Sequence, residues 1–223
     1  MSPKENQRVP DVEIPPPDGA GPADRRLGAP ALAAPAKRAP LGAQDQADVT
    51  AAQNYLNDIT TLKARFLQVQ GNGGQAEGTA YLNRPGRLRL QYDPPSPLLV
   101  VADGTFLIVH DKTLDNPSYI PLGSTPAGVL VRENVELNGR DLAVTKVTHQ
   151  PGLIAITVVE ADDPVAGSIT LVFTERPFQL RQWRVVDAQG QTTSVSLYDV
   201  QTGIPLDSKL FEFKDPNFGR PKL

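Results

Sequence analysis

Few residues in this chain are equipped for covalent or metal chemistry, and their spacing does not organise them into a site. There are two histidines, His110 and His149. His110 falls at the end of an apolar run and His149 just before Gln150-Pro151, so neither stands at a recognisable interval from a serine or a carboxylate pair. Two imidazoles without further ligands make no metal site, and both read as surface or strand-end histidines. Glu160, Asp162 and Asp163 cluster in "VVEADDPVAG". The cluster lacks the ligand spacing of a calcium loop and reads as a solvated hairpin turn. Gly71, Gly73 and Gly74 precede no strand-to-helix step with a lysine, so they form no phosphate loop. With no cysteine, disulfides, thiolate ligands, thiol nucleophiles and a lipid-modified N-terminal cysteine are all excluded. Residue types give catalysis and cofactor binding no support.

Arg84 is more informative. It precedes Pro85-Gly86 at a turn between two strand-like runs. At the rim of an apolar cavity, a guanidinium can donate up to five hydrogen bonds in a fixed fork, enough to hold the carbonyl end of a lid helix. On an ordinary turn it is one more surface arginine. The choice depends on the elements around it.

The chain has 223 residues, 39% of them hydrophobic, enough for one globular domain with a sizeable core. Its formal net charge of -3 comes from mixed signs without a basic block, which argues against nucleic acid as a partner. No apolar run reaches the roughly 20 residues that span a bilayer, and the first residues lack the apolar core of a signal peptide. The protein is therefore either cytoplasmic or written without a leader.

Residues 1–45 hold nine of the 22 prolines and few large apolar side chains. Such a segment cannot bury enough area to offset its chain entropy, and it reads as a disordered tether, either a plain spacer or a Pro-rich docking site. The folded domain is expected over 46–223. It should open with a helix capped by Asp45 or Asp48, because Val49, Ala52, Leu56 and Ile59 follow at spacings of three and four.

From Leu62 the pattern changes to short runs between turn signals, at 62–70, 77–82, 87–92, 98–102, 105–110, 142–147, 153–159, 168–173, 180–186 and 192–200, with a last apolar piece at 210–213. Ten or eleven strands on short connections describe an antiparallel meander. The long interval 111–141 interrupts it. Within that interval Thr125-Pro126 reads as a cap and first turn of a short helix, either a lid or an irregular decoration.

Period-two alternation puts Phe66, Leu88, Leu90, Tyr92, Ile169, Leu171, Phe173, Val195 and Leu197 on one dry face. A twisted sheet of that many strands curls and encloses this face, and the two predicted helices are the elements available to close it. An ordinary filled sheet-and-helix core fits the same pattern.

"FLQVQ" at 66–70, "EGTAYLNRPGRLRLQYDPP" at 77–95, "LLVVADGTFLIVHDKTLDN" at 98–116, "TPAGVLVREN" at 125–134 and "VSLYDVQTGIPLDSKLFEFKDP" near the C-terminus occur in an order that resembles the periplasmic lipoprotein carrier family, LolA. The resemblance covers residues 46 to 220. It implies a mainly β fold, an unclosed antiparallel barrel of about 11 strands with an α-helical lid over a hydrophobic cavity. It also implies a periplasmic, monomeric, non-enzymatic chaperone without cofactors. Its partners would be triacylated lipoproteins, the inner-membrane ABC transporter that releases them and an outer-membrane acceptor.

The family's arginine before its conserved proline, which bonds to lid backbone, falls on Arg84. Leu88 and Leu90 fall where the family often has aromatic residues. Phe66, Leu88, Leu90, Tyr92, Ile108, Val129, Leu130, Leu171 and Phe173 become the expected acyl-chain lining. A lipid-sensing module on the same fold and a β-rich interaction module with a filled core are the alternatives.

Overall fold

A computed structural model describes residues 35–114 and 116–215. Residues 1–34 of the expected tether and 216–223 of the expected domain lie outside the described residues.

Helix α1, Ala43–Asp58, starts a turn earlier than its expected caps. Gly42 takes the cap position, and the Asp45 carboxylate, in the first turn, accepts the Gly42 N–H at 3.2 Å. Asp45 therefore serves the helix start from inside it, where an acid also meets the positive end of the helix dipole. Asp48 does not cap at all and is buried. The apolar stripe is as expected: Val49, Ala52 and Leu56 are buried along the helix and Ile59 just past its end.

Eleven strands follow: β1 Thr61–Gln70, β2 Gln75–Asn83, β3 Arg87–Tyr92, β4 Leu98–Asp103, β5 Phe106–Asp111, β6 Ser118–Pro121, β7 Leu142–Gln150, β8 Leu153–Glu160, β9 Gly167–Glu175, β10 Phe178–Asp187 and β11 Thr192–Thr202. They form one sheet in the order β6-β5-β4-β3-β2-β1-β11-β10-β9-β8-β7. All ladders are antiparallel, and β1 pairs with β11 at the centre, Phe66 opposite Leu197. β6 and β7 are the two edges and do not pair, so the barrel is unclosed. Register shifts at Lys63/Arg65, Leu180/Gln182 and Val144/Lys146 insert bulges, which bend strands and increase twist.

Alternation sorts the strands that have one wet face. In β3, Leu88, Leu90 and Tyr92 are buried while Arg87 and Gln91 are exposed. Gly78 pairs with both Phe66 and Tyr92, and a Cβ there would lie 2.7 Å from the Phe66 ring. The missing side chain lets the Phe66 and Tyr92 rings meet edge to face at 5.1 Å.

Because β6 and β7 lie at opposite edges, the chain between them has to cross the open seam. It does so through the 3-10 turns Leu122–Ser124 and Pro126–Val131, which carry the lid. Thr125 caps the second turn as expected, its hydroxyl accepting from the Ala127 N–H at 3.3 Å, although the segment is 3-10 and not α-helical.

Three expectations are corrected. Order begins before residue 45: Ala39 N–H donates to the Val144 carbonyl at 2.8 Å and Ala36 N–H to Ala161 at 2.9 Å. The Arg38 guanidinium also donates to Asn138 Oδ1 and the Gly139 carbonyl, each at 2.6 Å. This segment holds to the domain through backbone groups and one fork of donors, which composition does not register, and it covers the β7 edge. Second, β6 was hidden in the long interval, because all four of its residues are exposed and give no alternation. Third, the last apolar piece is a 3-10 turn, Ser208–Phe211, and not a strand.

Candidate functional site

The dry face is a single packed unit. Phe66, Leu88, Leu90, Tyr92, Leu171 and Phe173 from the strands belong to one buried cluster with Val129 and Leu130 from the lid. Val131, Val135 and Leu137 continue the lid into the same cluster, and α1 adds Val49, Ala52 and Leu56. Lid and helix side chains occupy the space that the curled sheet encloses. Tyr92 keeps a polar tip inside it: its hydroxyl bonds to Gln68 Oε1 at 2.6 Å, and burial pushes its pKa up to about 12. Tyr55 of α1 lies edge-on to Phe173 and Phe178, at 5.8 and 6.0 Å. Its hydroxyl is buried without a well-formed hydrogen bond, and burial raises its pKa.

Ile108 is the exception among the expected lining residues. It is buried but stands on the opposite face of the sheet, outside the cluster. β4 turns Val100 and Ala102 inward, and these pair with Val109 and Leu107, which leaves Ile108 opposite Val101 on the outside. That outer face is covered by the C-terminal segment. The outward Arg89 donates to the Leu210 carbonyl at 3.0 Å, and the Phe213 ring lies 5.4 Å from that of His110. His110 is thus an aromatic contact of the outer face.

Arg84, in the β2–β3 turn, reaches the lid where the sequence reading put it. Its Nε donates to the Arg132 carbonyl at 2.9 Å, and its Nη2 donates to the same oxygen and to the Glu133 carbonyl. Nη2 also lies 3.4 Å from Asn57 Oδ1. Main chain reinforces the contact, since Gly86 N–H donates to the Val131 carbonyl at 2.7 Å. Gly86 has φ +80, and a Cβ there would lie 2.8 Å from the Gly104 Cα, so the tight turn and this close approach both call for glycine.

The charge of Arg84 has no salt-bridge carboxylate among the described residues, and its Nη1 is buried without a partner. Burial lowers its pKa. A half-buried cation satisfied only by carbonyls holds its position at a desolvation cost that no partner charge offsets.

Three groups that sequence reading missed complete the contact between helix, lid and sheet. Asn57 of α1 accepts the Val135 N–H at 2.9 Å and donates to the Val135 carbonyl at 3.0 Å. Arg132 donates through Nη2 to Glu160 at 2.6 Å. His149 of β7 meets the buried Asp48 carboxylate at 2.8 Å, a bond that raises the histidine pKa. Each joins positions far apart in the chain, and no local pattern marks such pairs.

The other residues with chemical potential stay apart. Glu160 is engaged with Arg132, Asp162 and Asp163 are exposed, and among the described residues no three metal-ligating side chains come together. Gly71 donates to the Thr192 carbonyl at 2.8 Å as part of an ordinary hairpin end.

Residues 57–214 match the family described as "Outer membrane lipoprotein carrier protein LolA". An outer-membrane lipoprotein carrier protein of Dechloromonas aromatica is 29% identical over 185 residues, covering 78% of this chain and 85% of that protein. One of Pseudomonas paraeruginosa is 27% identical over 183 residues, 78% of this chain and 86% of its own. A solved LolA superfamily protein of Nitrosomonas europaea, 10% identical, covers 74% of this chain and 97% of its own with a TM-score of 0.41. The family match opens on Asn57, which clasps the lid, and runs through Arg84, the lid and every strand of the sheet. By that span, the chain belongs to the LolA family of outer membrane lipoprotein carrier proteins.

Proposed function

We propose that this protein is a periplasmic chaperone that takes up the acyl chains of lipoproteins on the dry face of its half-barrel and releases them as the lid returns. The donor in this reading is the inner-membrane ABC transporter that frees triacylated lipoproteins, and the recipient is an outer-membrane acceptor. Relatives named as lipoprotein carriers support it, as does the lack of any described helix long and apolar enough to cross a membrane. The lining consists of Phe66, Leu88, Leu90, Tyr92, Leu171 and Phe173, with Val129 and Leu130 as the parts that move aside and Arg84 as the lid latch.

One observation carries the reading. The interior of the half-barrel is closed by an apolar segment whose fastening at Arg84 is a few polar bonds to main chain. Burying each methylene is worth about 0.8 kcal/mol, so three acyl chains amount to tens of kcal/mol in gross transfer. Most of this cancels, because the acyl chains pass from one dry environment, the membrane, to another, and Val129, Leu130 and Val131 give up burial worth about 1.5–3 kcal/mol each as they move aside. The balance that remains is small enough for hydrogen bonds of about 1 kcal/mol each to tip it.

The test is a release assay. The full-length protein is added to membranes that hold an acylated lipoprotein and its energised exporter, beside a control without it. Soluble lipoprotein in a one-to-one complex, appearing only with this protein, is the expected result. Lipoprotein that stays in the membrane overturns the reading.

A further inference from the structure

The two halves of the unclosed sheet meet at one residue. Arg84 belongs to the β2–β3 turn, in the half of the sheet that ends in β6, and Glu160 closes β8, in the half that ends in β7. Arg132, directly after the lid turn, is held by both. Its carbonyl accepts from Arg84, and its guanidinium donates to Glu160 at 2.6 Å, with the Asp141 carboxylate at 3.8 Å. A cleft of about 460 Å³ opens there, with Gly86, Gly104, Leu122, Arg132 and Glu160 in its wall.

We propose that the Arg132–Glu160 ion pair is a second lid clasp, which fastens the lid to the β8 side of the seam as Arg84 fastens it to the β2–β3 side. The proposal rests on the carrier reading and names the regulation of the same site. An exposed pair contributes little wherever it lies. This one has side chains only 26% and 22% exposed, and an outward step by residue 132 has to separate it. The Arg65–Asp93 pair provides the contrast, since it has the same 2.6 Å length. It joins β1 to the residue after β3 within one half of the sheet, so lid movement does not stretch it. The two clasps differ in kind. Arg84 grips main chain and is indifferent to the side chain at 132, whereas Glu160 depends on it. Arg132 is accordingly a positioning residue, separable from the latch by mutation.

The test uses Arg132→Gln, Glu160→Gln and the double variant, with Asp93→Asn as the control pair. Two quantities are read: amide exchange at Gly86, whose N–H bonds to the Val131 carbonyl, and the uptake rate of dansyl-undecanoic acid. Each single variant is expected to speed both by roughly three- to fivefold, the double variant by no more than either single, and Asp93→Asn by nothing. Unchanged exchange in both single variants, or effects that multiply in the double, overturns the clasp. A wild-type protein that takes up no probe overturns the carrier reading instead, while exchange at Gly86 still decides the clasp.

Discussion

Helix α1 and the turn Pro126–Val131 cover the same concave face, but they are held differently. The helix lays a stripe of Val49, Ala52 and Leu56 into the core over four turns, and side chains along its length fasten it: Asp48 to His149, Gln53 to the Leu137 N–H at 3.3 Å, Asn57 to Val135. The lid turn is six residues long, buries Val129, Leu130 and Val131, and is fastened at its C-terminal end by Arg84 and Glu160. Distributed fastening makes α1 part of the structural core. In the carrier reading, fastening concentrated at its C-terminal end makes the lid turn the element that swings without unfolding the sheet.

Mutations can break or sharpen this contrast. The largest effect is expected at Leu56: Leu56→Ala should cost about 2–5 kcal/mol in urea denaturation, and Leu130→Ala less than half as much. Equal costs would mean that the two covers are one unit. Next, Arg84→Leu should remove no more than about 1–2 kcal/mol of stability while lipoprotein transfer from membranes falls away. Transfer at the wild-type rate would end the latch role.

Arg38→Ala, at the segment on the β7 edge, should lower stability by about 1 kcal/mol without altering transfer, because its bonds lie outside the lid. The smallest effect concerns pH. His149 has a raised pKa, so its bond to Asp48 contributes fully below the ordinary value of 6.5 and is lost as pH rises through the raised one. The groups facing it are Asp48 and Asp45 of α1 and Glu175 of β9, all acidic, so the sign is not contested. A melting series across neutral pH should show this decline in the wild type and a flatter profile in His149→Gln.

The sequence was legible where one face of a strand is wet. Strand β3 alternates charged with apolar residues, so Leu88, Leu90 and Tyr92 could be assigned to the interior. Arg84 could be noticed because its turn is marked by Pro85 and Gly86. Where both faces are covered the pattern fails. "FLIVHD" is apolar on either parity, and the cover of its outer face comes from residues near 211, a hundred positions further on, so the side on which Ile108 stands was not readable. β6 failed for the opposite reason, being exposed on every residue. Asn57 with Val135 and Arg132 with Glu160 are long-range polar matches, and nothing in either residue's neighbourhood announces them.

The pairing of β1 with β11 also governs how the molecule is made. Leu62 finds its partner in Thr202, so the first strand to leave the ribosome waits for the last before the middle of the sheet can form. Until then β1 and β10 each present an open edge, and closing so long a loop makes the step slow and late. A nascent or truncated chain that stops before Thr192 lacks β11, the strand that joins the central β1 to the other half of the sheet. Until β11 arrives, β1–β6 and β7–β10 are two separate sheets, so the dry face that both line is completed only when the last strand docks.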